Sequence, residues 1–208
     1  YSLILWFFPL VALGLIGMLG FSWSSLSGLT SKAGAILSVS LALGGIGITI
    51  AHELIHRSAA WERHLGTAIL ILVCYPHFTI EHVRGHHANV ATHHDPASAQ
   101  RGESFYRFWI RSVIGQLRSA WHLEAQRLAK KNGSVWRHDN LMLRYAIIQL
   151  LWLGTVSWVF GLSFLGPYLL MSVGAFSLLE AVNYVEHYGL ARRQKANGKF
   201  ERVDEHHS

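Results

Sequence analysis

The sequence predicts an all-α membrane protein, a transmembrane helix bundle with a histidine-held metal site at its cytoplasmic ends. Three observations carry that reading. Charged residues make up only 14% of the chain, against roughly 25% in a soluble domain, while 51% of residues are hydrophobic. The uncharged stretches are long: the first charge is Lys32, residues 33–51 carry none, and neither do the 35 residues from Tyr145 to Leu179. Six of the 14 histidines fall into three tight clusters beside those stretches. Ionisable groups near a bilayer are costly and usually mark function, and imidazole is the commonest neutral metal ligand.

A membrane helix needs about 20 apolar residues. The runs supply four such spans, at about 3–23, 33–52, 145–163 and 168–186, and Gly166-Pro167 is the turn expected between the last two. Residues 1–208 are expected to form a single integral-membrane domain with a cytoplasmic segment at about 81–144. The first run is long, follows no basic residues and is succeeded directly by a second span, which argues against a secretory signal peptide. The segment Gly66 to Ile80 is apolar but only 15 residues long and contains Pro76 and His77. A full crossing there would put His52 and His82 on opposite faces, so a re-entrant or interfacial helix is expected. The one cysteine, Cys74, excludes an internal disulfide and a cysteine-held iron–sulfur cluster. The chain has no initiator Met and stops at Glu205-His206-His207-Ser208, as an internal piece of a longer protein would.

Charge sets the topology. Between Arg101 and Arg144 nine basic residues face only Glu103, Glu124 and Asp139, so this segment carries the whole net charge of +6. The positive-inside rule places it in the cytoplasm. Two hairpins, 3–23 with 33–52 and 145–163 with 168–186, then put all three histidine clusters on that side. Beside membrane spans, the basic segment is expected to face anionic lipid or an acidic partner, and no nucleic acid.

The clusters are His52-Glu53-Leu54-Ile55-His56, Glu81-His82-Val83-Arg84-Gly85-His86-His87 and Asn183-Tyr184-Val185-Glu186-His187-Tyr188-Gly189. Histidines four apart share a helix face, which pairs His52 with His56 and His82 with His86. His87 should then lie about 100° around the helix from His86. Six imidazoles from three segments exceed the four ligands zinc usually takes and suit a pair of iron ions. Glu53, Glu81 and Glu186 each stand beside a histidine, where a carboxylate commonly takes the second ring N–H; the alternative is a surface salt bridge with Arg57, Arg84 or Arg192. The first cluster also satisfies the H-E-x-x-H pattern of zinc proteases, but a protease leaves the Glu81–His87 cluster unexplained.

These stretches carry a resemblance. Ala51-His52-Glu53-Leu54-Ile55-His56-Arg57, His77-Phe78-Thr79-Ile80-Glu81-His82-Val83-Arg84-Gly85-His86-His87, Asp95-Pro96-Ala97-Ser98-Ala99 with Gly102-Glu103-Ser104, and Asn183-Tyr184-Val185-Glu186-His187-Tyr188-Gly189-Leu190 resemble the bacterial membrane-bound alkane 1-monooxygenases. These belong to the fatty-acid-desaturase and hydroxylase group of histidine-box di-iron enzymes. The resemblance extends from about residue 40 to the end, and its most specific part is the Asn-Tyr-x-Glu-His-Tyr-Gly segment.

The resemblance implies terminal hydroxylation of alkanes to primary alcohols with O2 and with electrons from rubredoxin, in the bacterial inner membrane. It implies two irons per complete site, with His52, His56, His82, His86, His87 and His187 as ligands. The apolar spans would form a dry slot for the alkane, and the basic segment, with Arg107 and Arg111, would contribute to the surface that meets an acidic rubredoxin. The family carries a further histidine box beyond residue 208, so His206-His207-Ser208 reads as its approach and the chain alone is expected to be inactive. His93 and His94 are expected in an exposed loop, and His64, His122 and His138 in structural or interfacial places. His77 is the lone histidine expected nearest the site. A xylene-type methyl hydroxylase or a desaturase on the same scaffold is the competing reading.

Overall fold

Long charge-free runs have one stable form in lipid, a helix that satisfies its own backbone, and the computed structural model takes that form. It describes residues 2–203, so His206 and His207 lie outside the described residues. The helices are α1 (Ser2–Ser22), α2 (Leu29–Ile55), α3 (Ala60–Leu72), α4 (residues 78–89), α5 (Phe105–Ala129), α6 (Leu141–Phe160) and α7 (Leu165–His187). Among the described residues there is no strand, only an isolated antiparallel bridge between Gln194 and Phe200. Four helical runs are long and apolar enough to cross a membrane: Ser2–Ser22, Leu29–Ile55, Leu141–Phe160 and Leu162–His187.

The break between the last two falls earlier than Gly166-Pro167. The chain turns at Gly161, whose φ of 85° suits glycine, and a short 3-10 turn at Leu162–Phe164 leads into α7. Pro167 sits in the first turn of α7, where its missing N–H costs nothing. Helix α3 has 13 residues, about 20 Å at the helical rise, too short for a hydrocarbon core of about 30 Å. It closes with Tyr75 N–H donating to Leu70 O (2.8 Å) and Cys74 N–H to Ile71 O (3.1 Å), with Cys74 in the left-handed region at φ 57°.

The described residues fall into two bodies. The first comprises Tyr1–Thr79 and Leu143–Leu179. Its helices approach at small residues, as membrane helices do. A Cβ added at Gly44 would lie 2.5 Å from the Ala175 carbonyl oxygen, and one at Gly66 would lie 2.8 Å from that of Ala51. Ser40 Oγ donates to Met171 O (3.0 Å) at the same α2–α7 approach. The open end of α3 is closed by Tyr168, whose hydroxyl donates to Leu72 O (2.6 Å) and accepts from Trp152 Nε1 (2.6 Å).

The second body comprises Ile80–Met142 and the described residues from Glu180 on, and polar groups hold it together. Helix α5 starts at Ser104, whose side chain caps Arg107 N–H. Its Glu124 is fully buried, accepting from Arg84 Nη1 (3.1 Å), from Arg127 Nε and Nη2 (2.9 and 2.7 Å) and from Leu141 N–H (2.8 Å). Arg111 grips the 95–103 loop: it meets both carboxylate oxygens of Glu103 (2.8 and 2.7 Å) and the carbonyls of Pro96 and Ser98 (both 3.0 Å). The last turn of α7 and the chain after it are stitched to the same loop by Tyr184 Oη to Glu103 O (2.6 Å) and Gly189 N–H to Ala99 O (2.9 Å).

Two stability predictions result. Gly44→Leu is expected to lower stability by about 1–3 kcal/mol through overpacking. Gly45→Leu, where an added Cβ meets nothing within 4 Å, should change little; thermal melting in detergent compares the two. Glu124→Ala strands two cations beside a buried space and is expected to destabilise by about 3 kcal/mol, the low end because the arginines keep some access to water. Burial pushes the Glu124 carboxyl up, but its Arg127, Leu141 and Arg84 partners outweigh this and hold it below its ordinary value of 4.5. Its stabilisation is therefore present above that value and lost as pH falls through the lower folded one. Acid titration of the melting temperature should show a loss below about pH 4.5 that Glu124→Gln lacks.

Candidate metal centre

In the first body, His52 and His56 occupy the end of α2, their rings edge to face with centroids 4.8 Å apart. They follow a π-helical turn at Ala42–Gly47, a wide turn of a kind often found at functional sites. Glu53 pairs with Arg57 one turn on (2.9 Å). His77 is buried against Tyr75, centroids 4.3 Å apart, and burial pushes its pKa down to about 4, so it is neutral at physiological pH.

The second body gathers four histidines. Residues His82–His86 form another π turn, in which His87 N–H bonds to His82 O, five residues back. An α-helical register would swing His87 away from His82; the wider turn brings it over instead. Their Nε2 atoms face each other at 3.1 Å. The His82 and His86 rings stack with centroids 5.2 Å apart, and the His187 ring lies 4.8 Å from that of His86. His82, His86 and His187 are buried, and the buried Nδ1 of His187 has no hydrogen-bond partner.

Asp95 orients His86. Its Oδ2 lies 2.9 Å from His86 Nδ1 and accepts from Ser98 Oγ (2.6 Å), while Oδ1 accepts from Ala97 N–H (3.0 Å). With Nδ1 donating to Asp95, the lone pair of the neutral ring is at Nε2, the form a metal needs. Burial pulls His86 down, but the Asp95 hydrogen bond and the charges of Asp95 and Glu81 outweigh it, so its pKa is raised. Burial pushes Asp95 up, and His86, Ser98 and Ala97 together hold it below its ordinary value. Glu81 is pushed up to about 8, first by burial and then by the charge of Asp95. Its one described bond comes from Ser119 Oγ (3.3 Å) and its Oε2 is buried without a partner. A bound cation would draw that proton off.

These groups fit a metal ion. A buried unpartnered imidazole nitrogen and a ring aimed by a carboxylate make poor sense as packing and good sense as a donor set, and the hydrogen-bonded His82–His87 Nε2 pair sets two more ring nitrogens 3.1 Å apart. The structure brings His82, His86, His87 and His187 together in one body, and pairs His52 with His56 in the other. Glu186 is exposed at the end of α7, and the rings of the exposed His93 and His94 are tilted against each other with centroids 3.9 Å apart. Arg111, expected at a docking surface, is engaged internally with Glu103 and the loop carbonyls. Asp95 stands in a stretch that carries the family resemblance, but its role beside His86, nine residues away, emerges only from the fold; the Asp-Pro turn in a histidine-flanked loop is the signal that points to it.

The chain matches the family model described as "Fatty acid desaturase" over residues 28–207. It is 45% identical over 182 residues to alkane 1-monooxygenase 2 of Pseudomonas aeruginosa, covering 85% of this chain and 47% of that protein. It is 40% identical to the alkane 1-monooxygenase of Pseudomonas putida, covering 83% of this chain and 44% of that protein. To the xylene/toluene monooxygenase hydroxylase component XylM of Pseudomonas putida it is 32% identical, covering 86% and 50%. The chain thus spans about half the length of these curated relatives. A histidine-rich helical membrane chain with this match belongs to the fatty acid desaturase family.

Proposed function

We propose that this chain is the histidine-bearing part of a monooxygenase of the bacterial inner membrane that converts alkanes to primary alcohols with O2 and electrons from rubredoxin. The observation that carries the reading is the cluster of His82, His86, His87 and His187 in a chain 40–45% identical to alkane 1-monooxygenases. His52 and His56 join them as ligands, and the positive-inside rule supports a cytoplasmic site. Two irons bound by these imidazoles would supply the oxidising power that a strong methyl C–H bond demands.

The chain's own residues have distinct tasks in that reaction. Asp95 holds His86 in the tautomer with its lone pair at Nε2. Arg111 and Tyr184 fix the loop that carries Asp95, so the ring cannot turn away. Glu81, buried beside His82, would supply a carboxylate to the loaded site once the cation has drawn its proton off. The apolar spans exclude water and take the alkyl chain. An acidic electron donor would meet the hollow of about 370 Å³ that is lined by Arg101, Arg192 and Asp95, because its wall bonds directly to His86. The xylene-type reading keeps a place through the 32% identity to a xylene/toluene hydroxylase.

The test replaces the matching stretch of the Pseudomonas aeruginosa relative with this chain in a host that supplies rubredoxin and its reductase. Cells fed n-alkane and p-xylene should yield primary alkanol. Benzylic alcohol alone, or alkene, would transfer the chain to the runner-up chemistry, and zinc without iron in the purified protein would end the di-iron reading. In the same background, Asp95→Ala is expected to weaken metal binding about 10–100-fold, read by iron titration, with Asp95→Asn intermediate.

A further inference from the structure

Helix α5 turns apolar side chains outward. It buries a mixed stripe of Phe108, Ser112, Gln116, Ala120, Glu124 and Leu128, whereas Tyr106 (81% exposed), Ile110 (56%), Ile114 (45%), Leu117 (49%) and Trp121 (36%) face outward. The polar face is satisfied within its own body: Gln116 Nε2 donates to Ser112 Oγ (2.8 Å) and to Glu180 (2.9 Å), and Glu124 takes two arginines. The outward apolar residues are periodic. At 3.6 residues per turn they fall within an arc of about 80°, and Arg107 and Arg118 adjoin one edge of it. A helix against water shows the reverse order.

Charge and aromatic placement say what covers that arc. The three carboxylates of the basic segment are all turned to cations of their own body: Glu103 to Arg111, Glu124 to Arg127 and Arg84, Asp139 to Arg137. The outward face therefore keeps exposed Arg107 and Arg118 with no acidic residue between them, and Lys130 and Lys131 follow the helix. At the same end Trp121 meets Trp136, itself 74% exposed, with ring centroids 6.1 Å apart. Paired tryptophans beside cations are the composition of a membrane–water boundary. With five charged side chains α5 is unsuited to crossing a bilayer, and it is not among the four apolar spans.

We propose that α5 is an interfacial helix of an anionic membrane leaflet, its Tyr106–Trp121 arc in the acyl boundary and Arg107 and Arg118 on lipid phosphates. Arg107 and Arg118 thereby serve the lipid, and the electron donor docks elsewhere. The reading is independent of metal content and of which substrate is oxidised.

The test places the full chain in nanodiscs of phosphatidylcholine, with and without phosphatidylglycerol. Nitroxide labels at Ile114→Cys, Leu117→Cys and His122→Cys, in a Cys74→Ser background, are probed by collision with O2, which enters lipid, and with a water-soluble nickel chelate. Labels at 114 and 117 should prefer O2 several-fold over the label at 122. Phosphatidylglycerol should raise that preference, and Arg107→Gln with Arg118→Gln should abolish the rise. Water-like collision at 114 and 117 would overturn the proposal, as would shielding from both reagents, which would mean that protein or a second copy covers the arc. Should Cys74→Ser unfold the chain, quenching of Trp121 by brominated lipid, taken as the difference from Trp121→Phe, decides: no difference overturns it.

Discussion

A buried imidazole that is to keep its Nε2 open must be held against rotation, and in this chain the group that holds His86 is a carboxylate from a loop rather than from a helix. Asp95 touches His86, Ser98 and Ala97, while the loop around it is fastened by Arg111 from α5 and by backbone bonds from the chain after α7. Segments distant in sequence converge on one short stretch. The loop is thus part of the site's skeleton, which explains why an arginine in the basic segment is turned inward.

The second organising feature is the π turn. It occurs before the first histidine pair, at Ala42–Gly47, and within the second cluster, at His82–His86. An α-helix presents ligands at three- and four-residue spacing along one face. A π turn adds the five-residue spacing, which is how His82 and His87 come nitrogen to nitrogen while His86 still stacks on His82. At the first of these turns Gly44 admits the close approach of the Ala175 carbonyl, and at the second Gly85 has room for no side chain, since a Cβ would meet Glu81 Oε1 at 2.5 Å.

Much of this was legible beforehand. Four charge-free runs announced four helices because a continuous apolar run of about 20 residues satisfies its own backbone in lipid as a helix, and the charge asymmetry marked the segment outside them. What escaped was local geometry. The Gly166-Pro167 dipeptide looked like a turn, but Pro167 is tolerated within a helix start and Gly161 supplies the positive φ. His87 was expected off the face because an α register was assumed, and no residue type announces an i→i+5 bond. Arg111 counted as a surface charge because its partners, Glu103 and two carbonyls, become neighbours only once the loop folds back. The apolar arc of α5 was hidden among arginines, since its members are never adjacent in the sequence.

The π turns also bear on how this protein can change. Each turn accommodates one residue more than an α turn would. Removing a single residue from 42–47 would let α2 close into a regular helix and rotate His52 and His56 by about 100° about its axis. Most substitutions there alter packing, whereas a one-residue deletion re-aims both imidazoles. Insertions and deletions in these two short stretches are therefore barred more strictly than replacements, and lineages that keep the chemistry should differ in residue identity there while keeping the residue count.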